Sequence, residues 1–340
     1  MSFERRSFLA AAGLLVAIGA GSIAGGGTAA RAAAELRLGH DGAPDDTVSA
    51  AAQRFKELVE AKTGGAVTVG VRPLGGEFGD AAAMLRGVRL GALDLAVAAN
   101  PEFAAFEPAL GVFDVPFLFA SPGHAYAVLD GEIGRAVLDG LERHGMKALA
   151  TWGVGFLSLT NAVRPVRGPA DVRGLRIRTM PGLLAHARAF ELLGATPTPV
   201  DDTELYRALQ SGRVDGQEGS PRRALADRLH EVQGHLSLTR HAYVAAPLVM
   251  NLQRFGTLPA EHRRALLEAA QEAAGEQRAR DAALDDEAVA GLRGAGVRVV
   301  EDPDIEAFRG IIGDGMRAAF AAERHNGDVL ARIDALKPTQ

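Results

Sequence analysis

From about residue 35 onward, apolar positions switch between a period of two and a period near 3.6. Glu35–Gly39 reads as a first strand, ending at His40-Asp41. In Thr47–Thr63 the residues Ala51, Phe55, Leu58 and Val59 recur at helical spacing. Gly64-Gly65 ends that helix, and Val67–Val71 alternates as a half-buried strand does. After a turn at Gly75–Asp80, a second helix is expected over Ala81–Leu90. Leu93–Ala98, apolar apart from Asp94, is read as a buried strand closing at Asn100-Pro101. Strand and helix thus alternate, the order of a parallel sheet covered by helices. A dense aromatic patch follows at Phe113–Phe119, then a mostly helical stretch over Gly123–His144, then a strand at Lys147–Trp152.

A second β/α set runs from Leu157 to about Leu238, with a partial echo of the first. Met84–Leu90, Gly91, then Leu93-Asp94 and a strand is matched by Tyr206–Ser211, Gly212, then Val214-Asp215 and a strand. A glycine that ends a helix is common α/β punctuation, but the echo also suits two similar domains facing one another. Leu258–Leu292 is one long helical pattern with Pro259 near its first turn. At 1.5 Å per residue it reaches roughly 50 Å, longer than one small domain is wide, so it is expected to run along both domains, with Gly275 a candidate kink. Val297–Val300 adds a strand and Ile305–Ala322 a closing helix.

The amino terminus departs from this pattern. Glu4-Arg5-Arg6-Ser7-Phe8-Leu9 precedes a short, glycine-rich apolar run to Ile23, and Ala-x-Ala sites follow at Ala30-Arg31-Ala32 and Ala32-Ala33-Ala34. Charged start, apolar stretch and small-residue cleavage site make residues 1–34 an export signal. The arginine pair resembles a twin-arginine leader, although Glu4 and Ala10 depart from that pattern and leave the general route open. The apolar run is too short for a transmembrane anchor.

Composition narrows the function. Arg5, Arg6 and Arg31 against Glu4 give the leader +2, so the net −5 of the whole chain leaves −7 on the remainder. That favours solubility and argues against nucleic acid as a partner. No cysteine occurs among the 340 residues, which excludes disulfides, thiolate metal sites and cysteine nucleophiles. About 305 mature residues suit two domains. No Gly-x-Ser-x-Gly or His-Glu-x-x-His is present, and Gly153-Val154-Gly155 lacks the third glycine of a dinucleotide loop. The adjacent aspartates at 45–46, 201–202 and 285–286 read as helix caps and solvated charge rather than metal ligands. No enzyme, cofactor or metal is expected.

The candidate binding residue stands in Gly174-Leu175-Arg176-Ile177-Arg178. Arg178 lies where a short strand gives way to a turn and a helix, and in open α/β sheets small ligands bind at the carboxyl ends of the strands. A guanidinium is a flat fork of donors that meets a carboxylate at two points. By the same positional argument His40, Asp41, Asp80, Ala99 and Asn100 should line the opposite wall. Asp80 suits a helix cap equally well, and His40 a buried, hydrogen-bonded histidine. Phe117 and Trp152 are candidates to pack on the ligand's apolar body, with core packing the ordinary alternative.

Several segments, in order, resemble the solute-binding proteins of the tripartite ATP-independent periplasmic (TRAP) transporters, of the dicarboxylate- and sialic-acid-binding type. They are Lys62–Gly65, Phe113–Phe119, Asp171–Arg178, Gly194–Pro199, Glu204–Leu209, Gly212–Glu218 and Leu236–His241, and the likeness extends over residues 35–335. The resemblance implies an α/β, two-domain periplasmic-binding-protein fold with a hinge, a ligand cleft and a long domain-spanning helix. The domains are expected over 35–155 plus about 246–285, and over 156–245 plus about 286–335. It implies capture of a small organic acid, with Arg178 on its carboxylate, and delivery to the membrane permease subunits, without insertion of this chain in the membrane. Periplasmic location follows from the leader. A binding protein of another importer class is the nearest alternative, an exported enzyme a more distant one.

The resemblance also marks departures. Leu157 stands where many members have a second arginine, Gly219 where many have an asparagine after Gln217-Glu218, and Asp202 where an aromatic is common. His241 and Tyr243 follow the family's pattern, which implies a place at the hinge or the pocket edge. A positive charge and a donor are lost and a negative charge is gained, so the expected ligand is a monocarboxylate with a hydroxylated or cationic remainder rather than a dicarboxylate.

Overall fold

Two strands set the architecture: β4 (Met146–Asn161) and β8 (His235–Asn251), which pair antiparallel as one long ribbon. A computed structural model describes residues 34–42, 46–73, 80–322 and 326–337. The expected leader, up to residue 33, and most of the Gly75–Asp80 turn lie outside them.

At one end of the ribbon, β1 (Ala34–His40), β2 (Val67–Pro73) and β3 (Leu95–Val97) add in the order β2-β1-β3-β8. At the other, β5 (Arg176–Thr179), β6 (Thr196–Pro199) and β7 (Gly216–Gly219) add in the order β6-β5-β7-β4. In each half the first strand is parallel to its two neighbours, and the third joins the ribbon antiparallel. The halves therefore repeat one order with β4 and β8 exchanging roles. The ninth strand, β9 (Arg298–Val300), pairs with the amino end of β8.

The echo in the sequence has a structural counterpart. Gly91 and Gly212 both take left-handed φ angles, 75° and 69°, at the ends of helices α2 (Ala81–Leu90) and α4 (Leu205–Gln210). Asp94 accepts from the Arg37 N–H at 2.9 Å, and Asp215 from the Arg176 N–H at 2.8 Å. Each aspartate thus takes a backbone N–H of the strand beside its own, Arg37 within β1 and Arg176 at the start of β5.

Helix α1 (Thr47–Lys62), capped by Asp46, covers the first half with Phe55 and Val59 inward. Helix α3 (Leu184–Leu192) follows β5, and α5 (Pro221–Ala226) follows β7. The long pattern is a single 35-residue helix, α6 (Ala260–Gly294), continuous through Gly275. Its alanines 269, 270, 273 and 274 lie in the core of the first half, while Leu292 packs with Val200, Leu205 and Leu236 of the second. Between those stretches α6 buries polar groups: Gln277, Arg278 and Asp281. Helix α7 is Ile305–Ala322 as expected, and α8 (Asn326–Ala335) follows it.

The sequence pattern predicted a strand of only Lys147–Trp152, whereas β4 continues to Asn161. Gly153 and Gly155, just past the end of the predicted strand, are bends inside one strand. The ladder shifts register there, Gly155 has φ 93°, and the Tyr243 hydroxyl lies where a side chain on Gly153 would stand. Gln277 holds the bend by accepting from the Gly153 N–H at 3.0 Å and donating to its carbonyl at 2.7 Å.

Candidate functional site

The carboxyl ends of β1 and β3 and those of β5, β6 and β7 occupy equivalent places in the two halves. On the first wall His40 is buried, with its Nδ1 lacking a protein partner among the described residues. Burial pushes its ring below the usual histidine range. Asp41 accepts from the Ala99 N–H at 3.1 Å. Burial, with Asp46 and Glu102 nearby, raises its carboxyl to about 6 despite that bond. Ala99 is half-buried, while Asn100 is fully enclosed, donating to the Leu110 carbonyl at 2.9 Å and to Asp114 at 3.0 Å. Asp80 caps α2 through the Ala83 N–H and stays exposed. Partial burial raises the Glu102 carboxyl above its usual range, with the Asp80 charge adding to it. This wall is acidic.

The second wall holds the cations. Arg178 is 4% exposed. Its Nε donates to the Val200 carbonyl at 2.8 Å and its Nη2 to Asp202 at 2.6 Å. Asp202 itself is half-exposed. Arg223, on α5, is bonded to Asp227 and also lies in the fields of Asp202 and of Asp46 on the first wall. The two walls are therefore within electrostatic reach of one another.

Glu218, on the strand that pairs with β5, belongs to a buried network that sequence reasoning reached only in part. Glu218 Oε2 accepts from His186 Nδ1 at 2.9 Å and from His241 Nε2 at 3.0 Å, and Thr239 Oγ1 is 2.9 Å from His241 Nδ1. Burial alone would raise Glu218, but the two imidazoles outweigh it and hold the carboxyl near 2. Burial would depress His186, yet Glu218 and Asp114 push it above the usual histidine range. Asp114 is raised to about 6 by burial, against the Asn100 bond and the nearby His186. His186 and Asp114 were missed as site residues. Their only signal was place: His186 opens the helix after the Arg178 strand, and Asp114 is the one acid in the aromatic patch.

Other expectations change on structural grounds. Trp152 belongs to the core of the first half, fully buried, edge-on to Phe55 at 6.2 Å and donating to the Ala270 carbonyl at 3.2 Å. Phe117 stacks on Phe308 at 5.8 Å and lies 6.2 Å from His241, its φ held at 60° with its N–H on the His241 carbonyl. It lines a small, mostly apolar space of about 20 Å³ together with Leu159, Phe190 and His241. Leu157 is buried opposite Ala242 and offers no charge. At Gly219 the Gln217 amide folds over the backbone, 2.9 Å from where a Cβ would stand. Among the described residues no group of three or more metal-ligating side chains occurs, and no helix is long and apolar enough to cross a membrane.

Residues 38–322 match the family described as bacterial extracellular solute-binding protein, family 7. The 2,3-diketo-L-gulonate-binding periplasmic protein YiaO of Escherichia coli is 36% identical over 311 residues, covering 91% of this chain and 94% of that one. Among solved structures, a TRAP periplasmic solute-binding protein from Polaromonas sp. JS666, bound to D-erythronate, superposes with a TM-score of 0.80 at 32% identity. That match covers 90% of this chain and all of the other. A second, from Chromohalobacter salexigens with bound D-glucuronate, gives a TM-score of 0.81 at 29% identity, covering 89% and 100%.

Proposed function

The chain belongs to family 7 of the bacterial extracellular solute-binding proteins, and from that premise we propose that it captures a hydroxylated monocarboxylate through Arg178. Its relatives are solute-binding proteins of TRAP systems, which bind small acids and work with membrane permease subunits. Here the cleft closes between residues 35–155 with about 246–285 and residues 156–245 with about 286–335. Export follows the twin-arginine-like leader to the periplasm.

One observation carries the reading: a buried guanidinium at the carboxyl edge of β5. Arg178 is fixed by the Val200 carbonyl, and its Nη1 makes no hydrogen bond among the described residues. A carboxylate is the anion that such a donor edge fits. Asp41 and Asp80, on the other wall, accept from hydroxyls and oppose a second carboxylate. D-erythronate and D-glucuronate, bound by the two solved relatives, each combine one carboxylate with several hydroxyls. Leu157 in place of a second arginine agrees with a single carboxylate.

The test is a thermal-shift panel of sugar acids, dicarboxylates, amino acids and neutral sugars. Solute at about a thousand times its Kd stabilises by roughly 4 kcal/mol. A hydroxy acid should give the largest shift, and Arg178→Ala should weaken its binding at least about tenfold, roughly 1.4 kcal/mol. A dicarboxylate binding best, or an unchanged affinity in Arg178→Ala, would sink the assignment.

A further inference from the structure

The Arg178 guanidinium is already engaged by a carboxylate of the protein itself. Asp202 sits two residues beyond Val200, whose carbonyl fixes Nε, and it takes Nη2 at 2.6 Å. The partners differ in freedom: the arginine side chain is 4% exposed and the aspartate side chain 47%. Arg178 therefore stays in place, while Asp202 has water on one side and can turn away. The next cation, Arg223, lies within its field, so a displaced Asp202 keeps a favourable charge nearby. Other arginines on this wall have acids of their own: Arg176 has Asp215 and Arg223 has Asp227. Asp202 is the acid standing on the proposed clamp.

We infer that Asp202 is an internal competitor for the solute's carboxylate, so that binding is an exchange of one carboxylate for another on Arg178. This rests on Arg178 being the clamp. The exchange has two consequences. The ligand-free protein does not leave a buried guanidinium without a counter-charge, which would be costly. The apparent affinity is lowered by the fraction of molecules in which Arg178 is free. Asp202 thereby sets a threshold: a neutral polyol cannot displace it, whereas a carboxylate anion can. If Asp202 instead accepted from a solute hydroxyl, removing its charge would weaken binding, so the two roles predict opposite signs.

Isothermal titration of the purified protein with D-erythronate and D-glucuronate as probes separates them. Wild type is compared with Asp202→Asn, Asp202→Ala, Arg178→Gln and the Arg178→Gln/Asp202→Asn double variant, with Arg178→Lys replacing Arg178→Gln if that variant does not fold. Both Asp202 variants should bind a probe about tenfold more tightly than wild type, and the gain should vanish when Arg178 is also replaced. Unchanged or weaker binding in Asp202→Asn overturns the competitor while leaving the clamp intact. Wild-type affinity retained in Arg178→Gln removes the clamp, and the competitor with it. A probe bound by Asp202→Asn but not detectably by wild type supports the inference; both probes bound by neither count against it.

Discussion

Asp114 shows how one side chain sets a pH dependence. Its carboxyl is buried beside Asn100 and raised to about 6 from an ordinary 3.8, chiefly by desolvation. A carboxyl raised in the folded state binds its proton more tightly there than in the unfolded chain. Its contribution is fully present below about pH 4 and is lost as pH rises through about 6. Two units correspond to about 3 kcal/mol. Asp114→Asn should therefore flatten the fall in stability between about pH 4 and 6, measured by urea unfolding across that range. An unaltered slope would mean that Asp114 is ionised at little cost in the folded protein. Glu218 has the opposite sign: held near 2, it stabilises above its ordinary range and loses that effect as pH falls through about 2. The same network explains why His186 and His241 occupy an interior otherwise built from Leu159, Phe190 and Ile312. A buried carboxylate with two imidazole partners is tolerable where a lone one is not.

At the scale of elements, the feature with most consequence is the bend in β4. Two glycines and two polar side chains of α6 keep one strand continuous where it passes between the halves. Gln277 satisfies both backbone groups of Gly153, and Arg278 donates to the Thr151 carbonyl at 2.6 Å. Arg222, on α5, donates to the Val154 carbonyl and pairs with Asp281 and Asp285 of α6. The buried polar groups of α6 are thus the partners of an irregular strand, as buried backbone requires. Gly153→Ala should be destabilising by roughly 1–3 kcal/mol. The new Cβ would sit 1.9 Å from the Tyr243 hydroxyl, and both the ring and the Gln277 clamp would have to move. A Gly153→Ala protein with wild-type urea midpoint would show that this contact relaxes freely.

For the whole molecule, the repeated strand order places two sets of strand ends opposite one another with a continuous ribbon and one long helix connecting the halves. A solute bridging an acidic wall and a cationic wall favours the arrangement in which both touch it, and binding can shift the protein only by its preference for that state. Saturation with the best solute of the thermal panel should lower the radius of gyration in small-angle X-ray scattering, and Arg178→Ala at the same solute concentration should change little. Equal radii with and without bound solute would exclude hinge closure as the response.

Much of this was legible in the sequence, because local patterns report local physics. The spacing in Thr47–Thr63 and Ala81–Leu90, the helix-ending glycines and the helical pattern at Ile305–Ala322 each depend on neighbours in the chain, and the observed elements match within a residue or so. The place of Arg178 at a strand end was legible because its strand, turn and helix are consecutive. Trp152 was not, since a tryptophan in an apolar run has the same pattern whether it faces a solute or Phe55. The length of β4 was hidden by Gly153 and Gly155, whose breaker character is cancelled by Gln277, 124 residues away. His186 is far in sequence from Asp114 and Asn100, and the three gain meaning only when folding removes water from between them. The sequence by itself determined the elements, their alternation and the cation at the strand end. Only the tertiary structure decided which polar groups share a buried space, because desolvation and charge pairing are set by distance through the folded interior and not along the chain.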